Sequence, residues 1–192
     1  DVYTVFDAGQ QAHVPLLAGW NADEVLGGVV LANQKPTAQS FADDARKRFG
    51  QNFLADPHYV ARIVDAVDPQ PGDNLVEIGP GRGVLTGELA RRAGQLIALE
   101  IDSTLVPALR TRFPSVMVVQ ADARSWPYSS LVRPPGGRVV VVGNLPYSAG
   151  TVILTALIAA RSAIDEMVIM LQREVAERVA ATPGSKSYGS LS

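Results

Sequence analysis

Apolar and polar positions follow two rhythms along this chain, and the rhythms alternate. Tyr59, Val60, Ile63, Val64 and Val67 recur at three- and four-residue spacing, which predicts a helix over 57–67. Pro69 and Pro71-Gly72 end it. Asn74-Leu75-Val76-Glu77-Ile78 is a short β-type run closing on Gly79-Pro80-Gly81-Arg82-Gly83, and the next helix carries Val84, Leu85, Leu89 and Ala90 on its inner face. Strands are predicted again at 95–100, 116–120, 138–143 and 166–171, with helices at 104–113, 151–160 and 173–181. Strands alternating with helices predict an α/β fold with right-handed crossovers and a mostly parallel sheet. The near-continuous apolar strands agree, because such strands are buried on both faces.

The first 50 residues are less regular. Runs 3–7 and 13–18 are apolar, the second interrupted by Pro15, and 19–24 looks like a strand end entering a loop. Pro36-Thr37 sets up a helix to about Arg48, with Thr37 as a cap.

The 192 residues suit one domain, or one domain with an appendage. A hydrophobic content of 47% and 17 glycines fit a globular protein. No apolar run approaches the roughly 18 residues of a membrane span. The absence of cysteine removes disulfides, thiol nucleophiles and zinc–thiolate sites, and two histidines, His13 and His58, leave little for a metal. No metal, no membrane and a monomer are expected. The start lacks signal-peptide character, which makes the cytoplasm the expected compartment. Opening at Asp1 rather than Met, the chain reads as a piece of something longer. Residues 1–44 carry six acids against one base, whereas the remainder carries 16 bases against 13 acids. That balance tolerates a nucleic-acid partner without demanding one.

The candidate chemistry gathers just beyond the predicted strand ends, where open α/β sheets bind ligands. Gly79, Gly81 and Gly83 offer a tight turn over which a ligand can approach closely. The third glycine comes one residue too early for the dinucleotide fingerprint, which weakens a nicotinamide reading. Glu77 precedes the turn, and Glu100 follows the next strand at about the twenty-residue distance where an acid meets ribose hydroxyls. Asp122 follows the third strand, as either a helix cap or an acceptor for an adenine amino group. The most apolar strand delivers Asn144-Leu145-Pro146-Tyr147. An amide oxygen, a backbone carbonyl, a proline-stiffened turn and an aromatic ring suit a planar base bearing an amino group.

These segments stand in a familiar order. Gln51-Asn52-Phe53-Leu54, Glu77-Ile78-Gly79-Pro80-Gly81-Arg82-Gly83-Val84-Leu85-Thr86, Glu100-Ile101-Asp102, Gln120-Ala121-Asp122-Ala123, Asn144-Leu145-Pro146-Tyr147, Leu171-Gln172-Arg173-Glu174-Val175 and Ser185-Lys186-Ser187-Tyr188-Gly189-Ser190-Leu191-Ser192 follow one another. Together they resemble the bacterial ribosomal RNA adenine N6,N6-dimethyltransferases of the kasugamycin-resistance type, from about Ala45 to the last residue. The resemblance implies a class I, Rossmann-like fold dependent on S-adenosylmethionine, acting on adjacent adenines near the 3′ end of small-subunit rRNA. It implies cofactor contacts from Asn52, Leu54, Gly79, Glu100, Asp122 and Asn144, with Glu77 and Gly81 of the glycine turn beside them. Glu100 would hold the ribose and Asp122 the adenine amino group. Asn144 and the Leu145 carbonyl would grip the target N6, Pro146 would stiffen the turn, and Tyr147 would stack on the base. Arg46, Lys47 and Arg48 would meet RNA phosphates, so their removal is expected to weaken RNA binding and its salt sensitivity.

Two departures qualify the likeness. Val14-Pro15-Leu16-Leu17-Ala18-Gly19-Trp20-Asn21-Ala22-Asp23-Glu24 resembles a stretch of type B carboxylesterases, in which Glu24 would be the triad acid. No G-x-S-x-G elbow accompanies it, so esterase activity is not expected. Residues 1–44 therefore read as an atypical segment, packed on the domain or partly disordered, and 45–192 as an incomplete methyltransferase domain. The family's last sheet strands, second aromatic clamp and small helical RNA-binding domain are missing past Tyr188-Gly189, so modest stability is expected. Competing readings are a large-subunit rRNA adenine N6-methyltransferase, a non-catalytic RNA-binding or assembly homologue, and an inactive hybrid.

Overall fold

Runs rich in Val, Ile and Leu become strands, and the three- and four-residue rhythms between them become helices. In the computed structural model, residues 16–19, 29–30, 57–145, 149–171, 173–186 and 188–189 are described. The strands are β1 (Leu16–Gly19), β2 (Val29–Val30), β3 (Asn74–Ile78), β4 (Gln95–Glu100), β5 (Met117–Gln120), β6 (Val139–Asn144) and β7 (Glu166–Met170). The helices are α1 (Pro57–Val67), α2 (Val84–Ala90), α3 (Val106–Arg112), α4 (Gly150–Ala159) and α5 (Arg173–Val179). The helix predicted up to Arg48 lies outside the described residues.

Among the described residues the sheet runs β2-β1-β7-β6-β3-β4-β5. Every neighbouring pair is parallel except β1 with β2. The chain steps outward from β3 through β4 to β5, then returns across β3 to lay down β6 and β7. The order therefore reverses at β3, which has β4 on one side and β6 on the other. Such a reversal opens a crevice at the strand C-termini.

The period of two in each strand divides the core into two layers. Leu75, Ala98, Val140, Val142 and Val168 face α1, α2 and α3, meeting Val64, Leu89 and Leu109. Val76, Ile78, Leu99, Val141 and Ile169 face the other way, meeting Leu154 and Leu157 of α4 and Ala176 of α5. At the opposite end of the strands, buried Asp73 accepts from Arg138 N and from its guanidinium, and Arg138 reaches Glu166 on β7 at 2.8 Å. That network ties the starts of β3, β6 and β7 together.

Helix α3 starts two residues later than predicted. Asp102 Oδ1 accepts from both the N–H and the hydroxyl of Thr104, so a local turn takes the place of the first helical residues. Val84, expected on the inner face of α2, is 42% exposed, while Leu85, Thr86 and Leu89 turn inward. β1 falls within the carboxylesterase-like stretch and pairs with β7, from Leu16 opposite Met167 to Gly19 opposite Met170. The described part of the first 44 residues thus joins the sheet, and Glu24 lies outside the described residues.

Candidate active site

The rim of the sheet can be built outward from β3. Glu77 faces the α1–α3 layer, as Leu75 does two residues earlier, because side chains alternate along a strand. Glu77 is opposite Ala98 on β4, so Glu100, two residues further, shares that face. Val142 on β6 is opposite Glu77, and Asn144 again lies two residues on. Glu77, Glu100 and Asn144 therefore converge on one face at the C-terminal ends of three adjacent strands. Asp122 is two residues beyond Gln120, which pairs with Glu100.

Hydrogen bonds fix this rim. Glu100 Oε2 accepts from Gly81 N at 3.1 Å, and Oε1 from Asp102 N at 2.9 Å. The glycine turn is thereby clamped to the end of β4. Gly79 N donates to Leu99 O at 2.9 Å, and a Cβ on Gly79 would lie 3.9 Å from the Asn144 carbonyl oxygen. Leu145 N donates to Met170 O at 3.0 Å, so the strand pairing continues one residue past β6 and holds the segment leading into Asn144-Leu145. Gly79, Gly81 and Gly83 all have positive φ, between 55° and 78°. Nothing described lies within 4 Å of a Cβ placed on Gly81, so a ligand can approach the turn there.

The electrostatics differ between the acids. Glu77 is 2% exposed, and its Oε2 lacks a hydrogen-bond partner, as does the buried hydroxyl of Thr86 on α2. Burial pushes the Glu77 carboxyl up to about 7; Thr86 tempers the rise, and the neighbouring Glu100 adds to it. Thr86 is thus near enough to act on the carboxyl, but the two atoms do not close a satisfying bond. Asp122 behaves oppositely. Arg124 grips both its oxygens, with Nη2 at 2.6 Å from Oδ2, and holds the carboxyl below its ordinary range. Asp122 also accepts from Arg124 N at 2.9 Å, which closes a local turn, and no helix begins there for it to cap.

Of the residues singled out from the sequence, Glu77, Gly79, Gly81, Glu100, Asp122, Asn144 and Leu145 are brought to one rim. Pro146, Tyr147, Asn52, Leu54, Arg46, Lys47 and Arg48 lie outside the described residues. Three further residues belong to the neighbourhood. Thr86 faces Glu77, Arg124 engages Asp122, and Ile101, beside Glu100, leaves 63% of its surface exposed. An apolar side chain next to a ribose-type carboxylate offers a platform for a flat ring. Its signal in the sequence was an isoleucine just past a strand end, between two acids.

The rim fits an elongated nucleoside ligand with a positive charge. An orphaned buried carboxyl oxygen, two more carboxylates and an open glycine turn supply acceptors and room. Comparisons with known proteins agree with that chemistry. Residues 42–192 match the family model described as ribosomal RNA adenine dimethylase. The ribosomal RNA small subunit methyltransferase A of Geobacter metallireducens is 47% identical over 152 residues, 77% of this chain and 55% of that protein. Its counterpart in Chromohalobacter salexigens is 44% identical over 168 residues, covering 84% and 58%. The chain thus spans little more than half the length of these relatives. Among solved structures, a dimethyladenosine transferase from Plasmodium falciparum superposes with a TM-score of 0.62 at 28% identity, over 71% of this chain and 49% of that one. The 23S rRNA methyltransferase ErmE does so with 0.52 at 34% identity, over 66% and 50%.

Proposed function

Because the chain belongs to the ribosomal RNA adenine dimethylase family, we propose that its rim binds S-adenosylmethionine and serves methyl transfer to N6 of adjacent adenines in small-subunit ribosomal RNA. The observation that carries this reading is the hydrogen bond from Gly81 N to Glu100 Oε2, which makes glycine turn and carboxylate one wall, with Asn144 beside Gly79 at its end. The clamp leaves Glu100 able to accept from a diol on its remaining lone pairs. Asp122 accepts the amino group of the cofactor's adenine once Arg124 moves aside. That move is cheap, because solvent screens an exposed ion pair. Glu77, Gly79 and Gly81 line the turn, with Asn52 and Leu54 as the further cofactor contacts that the family likeness supplies.

S-adenosylmethionine, when bound, supplies a methyl group already activated on a sulfonium sulfur, so this chain needs no strong base. Asn144 and the Leu145 carbonyl accept the two hydrogens of the target amino group. Held so, the nitrogen is drawn out of conjugation with its ring, and the positive charge that develops on it is stabilised. For each methyl gained the sulfonium becomes a neutral thioether and one proton leaves the amino group for solvent. Tyr147 stacks on the base and Pro146 limits the turn. In-line placement can contribute roughly 7–11 kcal/mol at best. The target must be unstacked, which favours loop or single-stranded adenines. Arg46, Lys47 and Arg48 supply phosphate contacts.

The curated relatives favour the small subunit over the large one, since both described above are named for it. The test is transfer of labelled methyl from S-adenosylmethionine to small ribosomal subunits lacking the modification. Labelling is expected to fall about 100-fold in Asn144→Ala, the scale for losing one polar group that acts on developing charge. Equal labelling by that variant overturns the role given to Asn144. Labelling of large subunits alone overturns the substrate.

A further inference from the structure

Three acids are buried among the described residues, and two have their donors. Asp73 takes Arg138, and Glu100 takes the N–H groups of Gly81 and Asp102. The third, Glu77, has an oxygen with no partner at all. It stands at the end of β3, where the strand order reverses, directly before the glycine turn. Among the described groups, α2 offers it the neutral hydroxyl of Thr86, β4 offers the like charge of Glu100, and β6 sets Val142 and Gly143 beside it. Among the described residues no lysine or arginine acts on it. A carboxylate in such surroundings is costly unless a cation comes to it or a proton neutralises it. Burial and Glu100 together raise its carboxyl to about 7, so both forms lie within reach near neutrality.

We propose that Glu77 carries a proton while the site is without cofactor and releases it when the net-positive methionine end of S-adenosylmethionine binds. The inference rests on the cofactor reading given above and adds a regulation to it, in that cofactor affinity is linked to pH through this one residue. Without the ligand, protonation spares the glycine turn the repulsion of two unscreened carboxylates. With the ligand, the cation neutralises the ionised Glu77, Glu100 keeps its N–H donors and the diol, and the proton passes to solvent.

Linkage fixes the sign. Binding that favours the ionised form must strengthen as pH rises towards the carboxyl's own titration and level off above it. From pH 5.5 to pH 7.5, affinity is expected to rise roughly 20- to 30-fold, with about half a proton released per cofactor at pH 7. The test is calorimetric titration of the full chain with S-adenosylmethionine, in buffers of different ionisation enthalpy, for wild type and Glu77→Gln. The cofactor's own amino group titrates in both proteins and cancels in the difference. The expected result is proton release by the wild type and none of that component in the variant, whose affinity lacks the roughly 20- to 30-fold rise. A second measurement needs no variant: the infrared carbonyl band of a buried protonated carboxylic acid should be present without cofactor and vanish on its addition. Binding with equal proton release in both proteins, or no such band, overturns the proposal and leaves the cofactor reading standing. No binding by either protein overturns the cofactor reading itself.

Discussion

Gly83 has a φ of 78°, and a Cβ built there runs into the ring of Phe113. Gly83→Ala therefore combines a left-handed backbone with overpacking, and each costs about 1–3 kcal/mol. The expected loss is about 2–4 kcal/mol in chemical denaturation, of which Phe113→Leu in the same chain relieves only the overpacking part; an unchanged midpoint would remove Phe113 from beneath the turn. The glycines themselves were visible in the sequence. The phenylalanine that enforces one of them was not, because 30 residues and a strand separate the two. The same holds for Arg124. Its position two residues after Asp122 is plain in the sequence, but the bidentate grip depends on the local turn. Burial of Thr86 opposite Glu77 was not legible, because apolar periodicity put Val84 rather than Thr86 on the inner face of α2.

The strands were the most legible elements. A six-residue run such as Arg138-Val139-Val140-Val141-Val142-Gly143 has little alternative to a buried parallel strand, and Val139 to Val142 are fully buried. Helix α1 was legible for a similar reason, with all five of its spaced apolar residues buried. Sheet order was not legible, since nothing local says that β6 lies beside β3 rather than β5. Part of what holds that order is the Asp73–Arg138–Glu166 network at the strand starts. Burial raises the Asp73 carboxyl, but the donors around it, Arg138 foremost, outweigh that and hold it below its ordinary range. Asp73→Asn keeps the shape and removes the charge. It leaves a half-buried guanidinium short of its partner, and a loss of about 2–3 kcal/mol is expected in urea unfolding. A loss under 0.5 kcal/mol would mean that the network follows the strand order rather than helping to hold it.

For the whole molecule, stability against pH carries the signature of the site. Glu77 ionises near 4.5 in the unfolded chain but at about 7 in the folded one. Between those values the folded state holds more protons, so stability falls as pH rises and levels off above 7, by on the order of 3 kcal/mol. Glu166, raised by burial with Arg138 opposing, adds in the same direction. Asp73, lowered, adds stability that is lost as pH falls below the ordinary aspartate range. Maximal stability is therefore expected on the mildly acidic side, and Glu77→Gln should gain most at pH 8 and little at pH 5 in thermal melts. A site thus weakened above neutrality is one that a cationic ligand strengthens.

The central claim is that the glycine turn, Glu100, Asp122 and Asn144 form one cofactor cradle at the reversal of the sheet. Calorimetric titration of the chain with S-adenosylmethionine, wild type against Glu100→Ala, tests it most directly. The account predicts saturable one-to-one binding by the wild type and at least a tenfold loss in the variant, since the turn loses its clamp and the ligand its diol acceptor. Equal affinity in the two proteins, or no binding by the wild type, would contradict it.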